Sequence, residues 1–72
     1  MAYYSVLILH EKDPDRPRFT EYEPETVYFG EDETMMRIRF FDAVRLAQAA
    51  PRAVVVTVWR DLEVLVRVKI EH

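Results

Sequence analysis

The 72-residue sequence contains no cysteine, so neither a disulfide framework nor a thiolate zinc site can staple it, and its fold must rest on packing and backbone pairing. Gly30 is the only glycine. That excludes the phosphate-cradling P-loop and the dinucleotide-binding fingerprint, both of which need several points of close backbone approach. Ser5 is the only serine, and it lies between Tyr4 and Val6 rather than between the glycines of a nucleophile elbow. Asparagine is absent, Gln48 is the only glutamine, and arginine outnumbers lysine eight to two. This usage fits a high-GC genome better than heat adaptation, whose signature is enrichment of Lys and Glu. No apolar run approaches the roughly 20 residues that span a bilayer, and the amino terminus lacks the basic and apolar regions of a secretory signal. The expectation is a soluble, cytoplasmic chain without membrane contact.

What is present points to a folded domain. Half of the residues are apolar and 32% are charged, a balance outside the low-hydrophobicity, high-charge regime of disorder. Residues 1–72 form one domain, and a chain this short buries only about 60% of the surface its unfolded form exposes. A partner or a second copy would add stability.

Tyr3 to His10 is a run of aromatic and β-branched residues apolar on both faces, as expected of an inner strand. Residues 11–18 carry two prolines and alternating charges, a solvated loop. Phe19 to Glu23 alternates, Pro24 interrupts, and Thr26 to Phe29 resumes, which confines this bent strand to an edge or a bulge. Gly30 to Glu33 is a turn where the lone glycine can supply a positive φ. Residues 34–50 contain no helix breaker and permit one long helix. The alternation of Met36, Ile38 and Phe40 with Arg37 and Arg39 instead predicts a third strand over 34–40. A short helix then follows, capped by Asp42, with Ala43, Val44, Ala47 and Ala50 as its buried stripe and Pro51 as its stop. Ala53 to Trp59 and Leu62 to Ile70 read as a β-hairpin. A loop of even length puts Val55, Thr57 and Trp59 on the core face with Val64, Val66, Val68 and Ile70, and turns Val54, Val56 and Val58 away from it. The fold class expected is α+β: a mainly antiparallel sheet of four to five strands with one short helix, in the order β-β-β-α-β-β.

No constellation for catalysis stands out. His10 follows an apolar strand and precedes Glu11, Asp13 and Asp15, residue types suited to a general base or a metal site, but an ordinary strand-end histidine is the simpler reading. Glu31, Asp32 and Glu33 lack the spaced oxygen ligands of a calcium loop. The expectation is a non-enzymatic protein with no cofactor and no metal.

Charge is more informative. Residues 1–36 hold nine acids and three bases, whereas residues 37–72 hold four acids and seven bases. The acids, interleaved with tyrosines, suggest a docking surface for a larger protein with a basic face, made by Glu21, Tyr22, Glu23, Glu25, Tyr28, Glu31, Asp32 and Glu33. In size and charge alone, with no shared motif, such a chain is like the small acidic inhibitors made by phages and other mobile elements, anti-CRISPR proteins among them. Some of these imitate a nucleic-acid backbone. The plainer alternative is a polar edge whose charges prevent aggregation. From the arginines comes a second functional reading, a nucleic-acid-binding sheet face bearing Arg37, Arg39, Arg67 and Lys69, with Tyr3, Tyr4 or Trp59 for stacking. A pI near 5.3 disfavours it. A homodimer through an exposed sheet face or edge is the other assembly expected.

Overall fold

The computed structural model describes residues 2–11, 22–51 and 53–71. Four strands, β1 (Tyr4–Glu11), β2 (Tyr22–Gly30), β3 (Val54–Arg60) and β4 (Glu63–Ile70), and one helix, α1 (Glu33–Ala49), follow one another as β-β-α-β-β. The sheet order is β2-β1-β3-β4, antiparallel throughout. The two-sided apolar pattern of the first strand thus marks an inner strand, and Pro24 lies on an edge strand, where a missing N–H costs no ladder bond. Glu11, expected in a loop, is the last residue of β1; the rest of that loop, and residues 19–21 of the bent strand, lie outside the described residues.

The α+β class and the antiparallel sheet follow the sequence pattern; the expected third strand is absent among the described residues, which leaves four strands in place of five. Residues 34–40, expected as a strand, are the first half of α1. The cap is Asp32, not Asp42: its carboxylate accepts from the N–H groups of Thr34 at 2.9 Å and Met35 at 3.2 Å. Its carbonyl accepts from Met36 N–H at 3.0 Å. These bonds satisfy amides that a helix leaves without intrahelical partners. Arg37 pairs with Glu33 at 2.8 Å, one turn apart, which adds a little more. At the other end Ala50 is extended, with φ −71° and ψ 145°, because Pro51 disfavours a helical conformation in the residue before it. We expect Asp32→Ala to lower stability by about 1 kcal/mol and Asp42→Ala to leave the helix start intact. Urea denaturation of the two variants checks this; equal losses would contradict the assigned cap.

The core lies between α1 and one face of the sheet. Val6, Ile8, Val54, Val56 and Val58 meet Met36, Ala43 and Ala47 of the helix, all buried, with Phe40, Val44 and Ile70 packed around them. Val54, Val56 and Val58 therefore face the core, opposite to the expectation from loop parity. A β-bulge explains the reversal. Trp59 is opposite Val64, but Val58 is opposite Val66, so Leu65 is an extra residue in β4, and one extra residue exchanges the faces of everything beyond it. Val66, Val68 and Ile70 join Val54, Val56 and Val58, while Val55, Thr57 and Trp59 share the other face with Val64, Arg67 and Lys69. No helix or strand among the described residues packs on that second, open face, although Val55 and Thr57 on it are buried.

The β3–β4 turn is Asp61–Leu62, and Asp61 has a φ of 53°, a left-handed conformation that aspartate tolerates better than most residues. Its N–H donates to the Tyr3 carbonyl at 2.8 Å and its carboxylate accepts from the Tyr3 N–H at 3.0 Å. The turn thereby clasps the chain at the entrance to β1.

Candidate interaction surface

Among the described residues β2 is an edge strand, paired only with β1. Its Glu23, Glu25 and Tyr28 lie opposite His10, Ile8 and Val6, on the helix side of the sheet, and Val27 is an extra residue in a second bulge. Glu23 and Glu25 are exposed, as are Glu31, Asp32 and Glu33 at the corner where β2 turns into α1. The edge thus carries two exposed carboxylates near the start of β2, and the corner three more beyond its end. Three of them hold the fold as well. Asp32 caps α1 and Glu33 pairs with Arg37. The Glu25 carboxylate lies 2.7 Å from His10 Nε2. Glu23 and Glu31 have no ion pair among the described residues.

Tyr28 stiffens this corner. Its hydroxyl accepts from the Asp32 N–H at 3.1 Å, and the same ring explains the lone glycine. A Cβ on Gly30 would stand 2.5 Å from the Tyr28 hydroxyl. Gly30 has no positive φ; close approach of a side chain, not left-handed backbone, is what the absence of a Cβ permits here. Phe29, opposite Ser5 on the open face, stacks on Tyr3 with ring centroids 5.7 Å apart and planes 9° from parallel.

Of the other residues singled out in the sequence, Glu21 lies outside the described residues, and Tyr22 opens β2 opposite Glu11. The four cations of the alternative set do not share a sheet face. Arg37 and Arg39 stand on α1, a consequence of the helix replacing the third strand, whereas Arg67 and Lys69 are on the open face of β4. There they join Trp59 and the Tyr3–Phe29 stack, and Lys69 pairs with Glu71 at 3.1 Å. His10 meets Glu25 across the β1–β2 ladder; Asp13 and Asp15 lie outside the described residues.

Two depressions flank α1 on its β2 side, and neither was legible in the sequence. A pocket of about 230 Å³ is lined by Ile8, His10, Glu25, Leu46, Ala47, Ala50 and Val54, and a shallower groove of about 530 Å³ by Val27, Arg39, Asp42, Arg45, Leu46 and Ala49. Leu46 is shared by both. A carboxylate-held imidazole beside an apolar pocket can orient a hydrogen bond to a ligand, but the residues lining that pocket supply no hydroxyl or further cation to act with it. Among the described residues no group of three or more His, Cys, Asp or Glu side chains is placed to hold a metal ion, and no helix is long and apolar enough to cross a membrane. No family profile matches the chain, and neither curated proteins nor solved structures show a match to it.

Proposed function

We propose that this chain is a non-enzymatic interaction module, an inhibitor or accessory subunit, that docks on a basic surface of a larger protein through β2 and the β2–α1 corner. The observation that carries this reading is that Glu23 and Glu25, near the start of edge strand β2, and Glu31, Asp32 and Glu33, just beyond its end, are all exposed. Like charges set side by side repel in the free protein, and a cationic partner relieves that repulsion. They also steer encounter, which raises association rates at low salt. Tyr28, held by Asp32, adds a rigid aromatic element beside them. An acidic edge is one means by which a small inhibitor can imitate a nucleic-acid backbone.

The open face supports a second reading, nucleic-acid binding, because Trp59 and the Tyr3–Phe29 stack share it with Arg67 and Lys69. One set of variants separates the two. Co-purification followed by mass spectrometry is expected to lose the partner of the wild-type chain when Glu23→Lys and Glu31→Lys are combined, and to keep it in Arg67→Glu. These two acids are chosen because neither caps nor pairs within the described fold. Capture unchanged by the double variant at both low and high salt removes the docking proposal. Micromolar binding to oligonucleotides at low salt, abolished by Arg67→Glu, would put the second reading in its place.

A further inference from the structure

On the side of the helix away from the sheet two large apolar side chains, Ile38 and Phe41, stand exposed, and nothing in the described chain covers them. Met36, Ala43 and Ala47 face the sheet; Thr34, Ile38, Phe41, Arg45 and Gln48, spaced alternately four and three residues apart, lie on the opposite side and are all exposed. Ile38 is 47% and Phe41 63% exposed. A four-three repeat is the spacing that keeps one seam of a helix against a neighbouring helix. Large apolar side chains at the centre of such a seam mark a contact rather than a solvated surface.

The charges on either side of that centre identify the neighbour. On the N-terminal side lie Glu31, Asp32 and Glu33, of which Asp32 caps the helix and Glu33 is paired with Arg37, leaving Glu31 without an ion pair among the described residues; on the C-terminal side lies Arg45, which also has none among them. We infer that the neighbour is a second copy of this chain, its helix packed antiparallel across a two-fold axis with Ile38 of each copy against Phe41 of the other. In an isologous contact each pairing occurs twice. This register brings Arg45 of one copy level with Thr34 of the other and within a helical turn of its acidic end. Both ends of the seam then join opposite charges, and the helix dipoles oppose one another. A parallel pair would instead set Arg45 against Arg45 and acid against acid.

The sheet offers a poorer route to a dimer. The exposed edge of β4 carries Val64, Leu65 and Val66, but the bulge at Leu65 breaks its register. Two-fold pairing through the regular part beyond the bulge opposes Arg67 to Arg67 or to Lys69. Bulges and edge cations of this sort are what keep sheet edges apart.

The contact is made by one helical stripe per chain, at the low end of specific interfaces, below about 1,200 Å² in total, and is expected to dissociate in the micromolar range. Sedimentation equilibrium from low micromolar to submillimolar concentration should show a monomer–dimer equilibrium. Phe41→Lys, at a position too exposed to threaten folding, should weaken it at least tenfold, with unchanged circular dichroism. Arg45→Glu should weaken it several-fold, and adding Glu31→Arg to that variant should restore it. Leu62→Lys, on the β3–β4 turn, should have no effect. A chain that stays monomeric throughout, a dimer indifferent to Phe41→Lys, or a charge exchange that does not restore association each overturns the proposal. Glu31 belongs to both the seam and the proposed docking edge, but Phe41 and Arg45 lie outside that edge, so loss of dimerisation in Phe41→Lys with partner capture kept separates failure of one proposal from failure of the other.

Discussion

Ile8→Ala is expected to lower the unfolding free energy by about 2–5 kcal/mol, the range for removing a buried aliphatic side chain and leaving the space behind it. Ile8 is 3% exposed, on inner strand β1, opposite Val56 of β3. At about 0.05–0.15 kcal/mol per residue, a chain of this length has a total stability of only some 4–11 kcal/mol, so the single truncation removes a large share of it. The surroundings have limited means of collapsing into the gap, because Val56 is held in the β1–β3–β4 ladder and the helix rests on Ala43 and Ala47. The urea midpoint reports the loss. Leu62→Ala, at a side chain 92% exposed on the turn, serves as the comparison and should shift stability by no more than about 0.5 kcal/mol. Equal effects at the two positions would mean that the core lies elsewhere.

The second large effect tests the helix itself. Met36 is 7% exposed and Ile38 is 47% exposed, a difference that arises because two residues along a helix turn the side chain through about 200°. Were this segment a strand, the two would point the same way. Met36→Asp is therefore expected to cost about 3 kcal/mol or more, since it places an unpaired carboxylate beneath the helix. Ile38→Asp should cost only the difference in helix propensity, about 0.7 kcal/mol or less. Chemical denaturation at submicromolar concentration, below the range in which self-association is expected, separates them. Similar losses at both positions would restore the strand reading.

Legibility differed from element to element, for physical reasons. The first strand and the last two declared themselves because their branched and aromatic runs suit only extended backbone, and Pro24 declared an edge because it has no N–H to give to a second neighbour. Residues 34–40 misled because Met36, Ile38 and Phe40 alternate with two arginines, yet Met36 and Phe40 also satisfy a helical stripe that continues through Ala43 and Ala47. Nothing in the alternation itself reveals that the inner strands already have neighbours on both sides. Asp32, followed by a run free of breakers up to Pro51, was the usable signal for the helix start. Of the acidic candidates, Glu23 and Glu25 lie near the start of β2, and Glu31, Asp32 and Glu33 at the corner beyond its end, where β2 leads straight into the helix. Arg37 and Arg39 left the sheet when the strand became a helix, and Arg67 and Lys69 remained on it.

The sequence by itself determined the class of fold, the inner position of its first strand, the concentration of acids in its first half, and the absence of any glycine-rich or cysteine-based site, because each of these depends on residue type and local spacing alone. Only the tertiary structure decided which side of β3 is the core and what the helix shows to solvent. A single unpaired residue at Leu65 exchanges the two faces of a hairpin without leaving a mark in the alternation. A helix apolar on two sides can bury just one of them in a domain this small.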